Sequence, residues 1–592
     1  MSAAQPALPV THIPRSPAVR CSLFFAALLC VVPFLQPFHT APLTSFYTEA
    51  LAIGLGLGVL TVLLDRGAWE NTEVPWITLL PFGLALLLLV HGVLGWSPYF
   101  GQALMGALYL AWAGVLIIAV RALARICGVE TVCAVIAAGL AAGAVLGAVI
   151  GVIQHFNLAT PLQAYIARPH GSAIFGNMGQ PNHYAAYTTL GLFSLVYLYG
   201  RQRIALVVAI AFALPLLFVL GLSGSRSVWP YLLAAFALSA WLRVAPGRDG
   251  EGRRLFLVCG ALIIVHFTLQ WLIGAGWFRP SDRESVTAVE RLFSGAASVT
   301  DRIGLWRAAW AIALENPLLG IGWGAFAARY HEFAAVHAAP AGLYNNAHNI
   351  VLHFFAETGL VGVALLLAPL AAAAVALLRA HRDAHLWWLS ATLAVVAIHS
   401  LLEYPLWYGY FLGIAAVLLG LVPAAGFVPR LARLGRMFAA GVIGIGAFNT
   451  VFLWLDYREL EGIYRVTVQQ DRKVDLADTV LRLHANTLLT PYVELAAAYP
   501  LAVDEQNLAW RLQLVERVIR FNPLPVLVYR QALLLALANR VTEAQSRLAR
   551  ALRVYPAVPS GFDRELARLA RHYPERFGPL LEFRSRRAPG RP

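Results

Sequence analysis

With 592 residues, 59% hydrophobic content and only 13% charged residues, and with a mean hydropathy of +0.66, the chain lies outside the range of soluble globular domains. Its formal charge of +14 comes without a nucleic-acid-binding motif. The basic residues stand in short clusters between apolar runs, which is the pattern of topology signals and lipid head-group contacts and argues against nucleic acid as a partner.

Apolar runs long enough to cross a hydrocarbon core of about 30 Å as helices fall near 21–38, 46–64, 76–94, 102–120, 130–154, 182–200, 203–222, 227–243, 255–273, 349–378, 384–402, 406–425 and 437–455. The first follows Arg15 and Arg20 but no small-x-small cleavage site follows it, so it reads as a retained helix and not as a signal peptide. All five cysteines (Cys21, Cys30, Cys127, Cys133, Cys259) lie in or beside these runs without a CxxC pair. Structural disulfides are not expected.

About thirteen spans with a cytoplasmic N-terminus put Arg121, Arg125, Arg201, Arg203, Arg243, Arg248, Arg253, Arg254, Arg379, Arg382, Arg430, Arg433 and Arg436 in inner loops. Only Arg168 and Arg226 then stand in short outer loops, an asymmetry that the positive-inside rule requires. The Asp65–Glu73 loop is neutral on the question. On this topology His155–His183, Ser223–Ser227, Gly274–His348 and Glu403–Tyr408 all face outward, as does the chain from about Asp456 onward.

Each outer segment carries polar groups beyond what a turn needs. In Gly176-Asn-Met-Gly-Gln180-Pro-Asn182-His183, Pro181 suits a first helical turn and Asn182 a cap. Three amides and an imidazole there also suit substrate orientation by Gln180, Asn182 and His183. Leu222-Ser-Gly-Ser-Arg226-Ser sets a guanidinium on the less basic face, where snorkelling competes with phosphate binding as the explanation. The stretch Val299–Trp310 reads as an amphipathic helix with Trp306 and Trp310 as interfacial anchors, or with Arg302 turned to a lipid-borne anion. Glu315–Gly324 follows as a glycine-rich turn. His331, Glu332 and His337 lack the HExxH spacing and a third ligand, so no metal is expected.

The most telling stretch is Tyr344-Asn-Asn-Ala-His348-Asn349, followed by Glu357-Thr-Gly359, where a polar loop runs into an apolar helix. A neutral imidazole there is a natural proton acceptor for a hydroxyl nucleophile. Asn345, Asn346 and Asn349 could fix its tautomer or bind hydroxyl groups, and His353, five residues on, faces another way. Glu403, Tyr404, Pro405 and Tyr408, with His399 before them, bracket a tight outer turn in which a carboxylate and phenols face a cavity. From about 456 the chain turns polar and helical. Ala532, Ala544, Ala551 and Pro556 resemble one tetratricopeptide-like repeat of about 34 residues, with Asp471–Tyr499 as a degenerate neighbour.

In their order and sidedness these motifs resemble the O-antigen ligase/polymerase (Wzy_C) superfamily of bacterial membrane glycosyltransferases, and within it the PglL-type protein O-oligosaccharyltransferases that act on pilin. The resemblance implies an all-α, GT-C-like helical bundle of about thirteen spans in the bacterial inner membrane. It divides the chain into a cytoplasmic tail (1–20), an N-terminal bundle (21–273), a large periplasmic loop (274–348), a second set of spans (349–455) and a periplasmic helical domain (456–592). It implies a donor glycan on undecaprenyl diphosphate, an acceptor protein such as pilin, no cofactor and no metal, and an active site facing the periplasm. It also implies His348 as base, Arg226 and Arg302 on the diphosphate, and supporting roles for Gln180 and Tyr404, with Tyr408 and Tyr410 as rivals of Tyr404; Asn182, His183, Asn349 and Glu403 stand beside them as candidate substrate-orienting residues. A ligase acting on lipid A core and a Wzy-type polymerase would share the outer chemistry. A transporter or flippase is the other class, though no inverted repeat or pair of broken helices supports it.

Overall fold

The computed structural model describes residues 16–70, 72–168, 173–243, 249–278, 296–428, 432–466, 480, 482–484 and 487–587. Arg15, Arg248, Arg430, the loop stretch 279–295 and most of the first half of the proposed neighbouring repeat at 471–499 lie outside them. The protein is all-α. Among the described residues the only strands are the two-residue pair Val74–Pro75 and Gly426–Phe427, joined antiparallel.

The apolar runs become helices because the bilayer leaves the backbone no other hydrogen-bonding partner. Among the described residues nine helices are long and apolar enough to cross: Pro17–Leu35, Phe46–Leu64, Trp76–Val93, Phe100–Cys127, Val129–Phe156, Gly250–Gly274, Ile350–Arg379, Ala384–Leu402 and Arg433–Tyr464. The other four expected spans are also helices, Pro181–Gly200, Leu206–Leu222, Val228–Arg243 and Gly409–Leu421, of 20, 17, 16 and 13 residues. A count of thirteen crossings is therefore not reached on length and apolarity. Gly409–Leu421 is short because the residues before it, Glu403–Tyr408, are spent on a non-α turn. The multi-pass membrane character is unaffected. The last long helix exposes Phe438, Ile445, Phe448 and Phe452, a face suited to lipid. The five cysteines are free.

Helix boundaries follow local chemistry. Asp383 Oδ1 accepts the Leu386 N–H at 2.9 Å and so starts Ala384–Leu402. Helix Ile350–Arg379 breaks at Gly359, whose φ of 64° and ψ of −165° suit glycine alone. The break bares carbonyl groups that the glycine-rich loop then uses. Ile321 N–H donates to Ala356 O and Gly322 N–H to Glu357 O, both at 3.0 Å. Leu360 N–H returns a bond to Pro317 O at 2.8 Å. A Cβ on Gly359 would strike the Leu318 carbonyl, and one on Gly320 would strike Glu357. Gly359→Ala is therefore expected to cost about 2 kcal/mol or more, read as a lower thermal midpoint of the purified protein. An unchanged midpoint would show that this loop-to-helix junction is not under such constraint.

The long loop and the C-terminal helices share one buried cluster. Leu305 and Ile312 of helix Ala296–Ala313 and Phe326 and Tyr330 of helix Phe326–Val336 pack with Val528, Leu534, Leu548 and Phe577. Trp310 is 53% exposed and its ring lies 5.4 Å from Phe355, whereas the Trp306 indole N–H is buried, so only one of the two expected anchors faces outward. Helices Pro525–Leu537 and Val541–Val554 pair as a hairpin. Ala532, Ala544 and Ala551 are fully buried, where the repeat pattern expects small residues. Glu494 ties this region to the bundle: it accepts the Tyr99 hydroxyl at 2.6 Å and the Arg517 guanidinium at 3.0 Å.

Candidate active site

The turn after Ala384–Leu402 carries the centre of the site. Glu403 caps that helix, donating its N–H to His399 O at 2.8 Å, and its side chain is only 5% exposed. Three side chains from distant parts of the chain converge on it. Its Oε2 stands 2.8 Å from His348 Nδ1. Its Oε1 lies 2.9 Å from Arg302 Nη2 and accepts the Asn182 side-chain amide at 2.9 Å. Asn182 Oδ1 in turn accepts the Ser225 hydroxyl at 2.8 Å, which brings in the turn that bears Arg226. Sequence separations of 55, 101 and 221 residues are closed at one carboxylate.

Electrostatics follow from this packing. Burial by itself would raise the Glu403 carboxyl, but the hydrogen bond with His348 and the charges of His348, Arg302 and His183 outweigh it and hold the group below the ordinary carboxylate range. An ionised carboxylate only accepts hydrogen bonds, so it fixes the proton of His348 on Nδ1 and leaves Nε2 as the basic nitrogen. The sequence reading offered the neighbouring asparagines for this task. The structure gives it to Glu403, while Asn346 Oδ1 takes the His348 backbone N–H at 2.9 Å. His348 adopts a left-handed φ of 50°, uncommon outside glycine and typical of a position held by its surroundings.

A brace lies directly beneath. Ala347 N–H donates to His353 Nδ1 at 3.3 Å, and His353 Nε2 is 3.4 Å from Glu357. Glu357 also receives the N–H groups of Gly324 and Phe326, each at 3.0 Å. Thus Glu-Thr-Gly, quoted from the sequence as a motif, supports the loop of His348 and ties it to the Gly322 turn. His348 precedes the helix that starts at Ile350, so helical spacing does not relate the two rings; His353, its ring 4.9 Å from Trp407, belongs to this support.

The remaining expected residues divide between the network and local caps. Gln180 Oε1 accepts the His183 N–H at 2.6 Å, and Asn349 Oδ1 accepts those of Val351 and Leu352 at 3.1 Å, so both oxygens serve as helix caps. His183 is buried behind the turn, its ring 5.1 Å from Tyr408 and 5.2 Å from His399. Of the three rival tyrosines, Tyr404 meets His348 edge to face at 5.1 Å. Tyr408 stacks on Tyr404 at 5.9 Å, and Tyr410 is buried among Phe34 and Phe411. Among the described residues no group of three or more His, Cys, Asp or Glu is arranged to hold a metal.

A cavity of about 950 Å³ opens beside this cluster. It begins at Asn345, Asn346, Tyr404 and Tyr408 and descends between helices Phe46–Leu64, Phe100–Cys127 and Arg433–Tyr464 to Leu57, Val115 and Phe438. The sequence reading did not find this groove. One signal was available: Glu49, which lines it, is a carboxylate inside an apolar run.

Fold and site together define a multi-pass all-α membrane protein with a histidine–carboxylate–arginine cluster at one end of its bundle and an apolar groove leading to it. Three family models match the chain: Protein glycosylation ligase over residues 174–199, O-Antigen ligase over 210–367, and Virulence factor membrane-bound polymerase, C-terminal, over 387–566. The O-antigen ligase and protein glycosylation ligase matches agree with the resemblance drawn from the motifs. The first match contains Gln180, Asn182 and His183, the second Arg226, Arg302 and His348, and the third Glu403 and Tyr404. The chain is 22% identical over 541 residues, covering 89% of itself and 91% of the relative, to a protein of Acinetobacter baylyi named General O-oligosaccharyltransferase. A second protein of that organism, named ComP-specific O-oligosaccharyltransferase, is 23% identical over 241 residues, 40% of this chain and 41% of the relative.

Proposed function

We propose that this protein is a membrane O-oligosaccharyltransferase of the bacterial inner membrane. It transfers a preassembled glycan from undecaprenyl diphosphate to Ser or Thr hydroxyls of proteins such as pilin, with its site facing the periplasm. The observation that carries this reading is the His348–Glu403–Arg302 cluster at the head of a lipid-sized apolar groove. The near full-length likeness to a relative named as an O-oligosaccharyltransferase supports it.

In the reaction, His348 Nε2 takes the proton of the acceptor hydroxyl as its oxygen attacks the anomeric carbon. A glycosidic C–O bond forms, the bond between that carbon and the diphosphate breaks, and its electron pair leaves on the phosphate oxygen. Glu403 stabilises the imidazolium. Arg302 spends one Nη on Glu403, so its remaining N–H groups, with Arg226, face the growing charge of the diphosphate. The groove takes the polyprenyl chain. Residues 274–348 and 456–592 form the acceptor-facing part, whose helical hairpins suit a protein surface.

The test supplies cells making an undecaprenyl-linked glycan with this protein and a candidate pilin, and reads the intact mass of the pilin. A glycan-sized increase that depends on this chain is expected. Glycan on lipid A core with unmodified pilin would favour the ligase reading. Lengthened lipid-linked glycan would favour a polymerase, the activity named by the family that matches residues 387–566.

A further inference from the structure

Two buried side-chain oxygens, on residues that line the mouth of the groove, have no hydrogen-bond partner. Glu49 is 8% exposed; one carboxyl oxygen, Oε2, takes the Gly409 N–H, while Oε1 is buried with no hydrogen-bond partner. Gln102 Oε1 is buried and unpartnered in the same way. Both side chains line the groove, on the outer turns of helices Phe46–Leu64 and Phe100–Cys127, together with Asn345, Asn346, Tyr404 and Tyr408. Native proteins seldom leave buried acceptors unmatched.

The natural complement is a ligand that brings several hydroxyl groups, each able to donate and to accept. A polyprenyl tail brings none. A diphosphate brings no donor for the Gln102 amide oxygen, which can only accept. A sugar ring offers multiple hydroxyl donors and C–H faces that pack on aromatic rings such as Tyr404 and Tyr408. The position is also right for a sugar, because Asn346 bonds the His348 backbone and Tyr404 touches the His348 ring. We infer that Glu49 and Gln102 form a recognition collar for the first sugar of the lipid-linked glycan, the one joined to the diphosphate. This inference rests on the transferase reading and names the part of its substrate that the groove mouth reads.

The test measures binding apart from transfer. The full-length protein in detergent is titrated with undecaprenyl diphosphate alone and with the same lipid carrying one N-acetylhexosamine, and thermal stabilisation gives the two affinities. The sugar is expected to tighten binding by roughly tenfold or more in wild type. Glu49→Gln keeps an oxygen for Gly409 and turns an N–H₂ donor into the collar; Gln102→Met keeps the volume and removes the amide. Each is expected to cut the sugar increment to roughly threefold or less while leaving affinity for the bare lipid diphosphate intact. An equal increment in wild type and both variants, or none in wild type, overturns the collar. If the increment behaves as expected while no protein acceptor is ever modified, the collar stands and the protein-transferase reading falls.

Discussion

His348→Ala is expected to lower glycan transfer by about 10²–10⁴-fold, the range a positioned general base contributes. Three features make this the largest effect available. The Nδ1 position is engaged by Glu403 at 2.8 Å, so Nε2 is the basic nitrogen. The residue is held at φ 50° by the bond from its N–H to Asn346 and by the His353 brace under Ala347. Its side chain is 27% exposed, enough for an acceptor to reach. Removing the imidazole should leave the fold nearly intact, because Glu403 keeps Arg302 and Asn182 as partners. Initial rates are compared at matched membrane abundance, with added imidazole as a rescue. A variant that retains more than about a tenth of wild-type activity would exclude His348 as the base.

Glu403→Ala acts on activity and stability together. Among the described residues only this carboxylate joins His348, Arg302 and Asn182, so its loss should reduce transfer by about 10²–10³-fold, through a misplaced ring and an untethered arginine. The stability cost is expected at about 1–3 kcal/mol. It stays below the figure for a fully buried pair because the Arg302 side chain is 39% exposed and can recover water.

Glu403→Gln isolates the charge. In the folded protein the Glu403 carboxyl sits below its ordinary value. Its contribution is therefore fully present above the unfolded carboxyl value of about 4.3 and is lost as pH falls through the lower folded value. The glutamine variant should lose that part of the acid dependence of the thermal midpoint while remaining folded at neutral pH. If it matches wild type in both transfer rate and acid limb, Glu403 is not the organising group.

The residues of the site differ in how far the sequence could carry them. Gln180 and Asn349 act on backbone groups two or three residues away, and contacts of that range follow from residue order. Glu403 was legible as a membrane-edge carboxylate beside a tyrosine, but not as the partner of His348. Glu357 and Gly359 were legible as a motif, but the reason for the glycine, a helix break that receives the 317–322 loop, was not. Glu49 passed unnoticed because a single carboxylate barely changes the hydropathy of its run.

By itself the sequence determined the membrane character, the helical runs, the polar segments flanking them and the resemblance in motif order, because each depends on residues close in the chain and on transfer from water to lipid. The tertiary structure alone decided which polar groups meet. Asn182, Arg302 and His348 reach one carboxylate only after helix packing turns their faces inward, and a buried carboxylate is tolerated only where such partners surround it. The same packing left the groove between helices Phe46–Leu64, Phe100–Cys127 and Arg433–Tyr464, and set two unmatched oxygens on residues at its mouth.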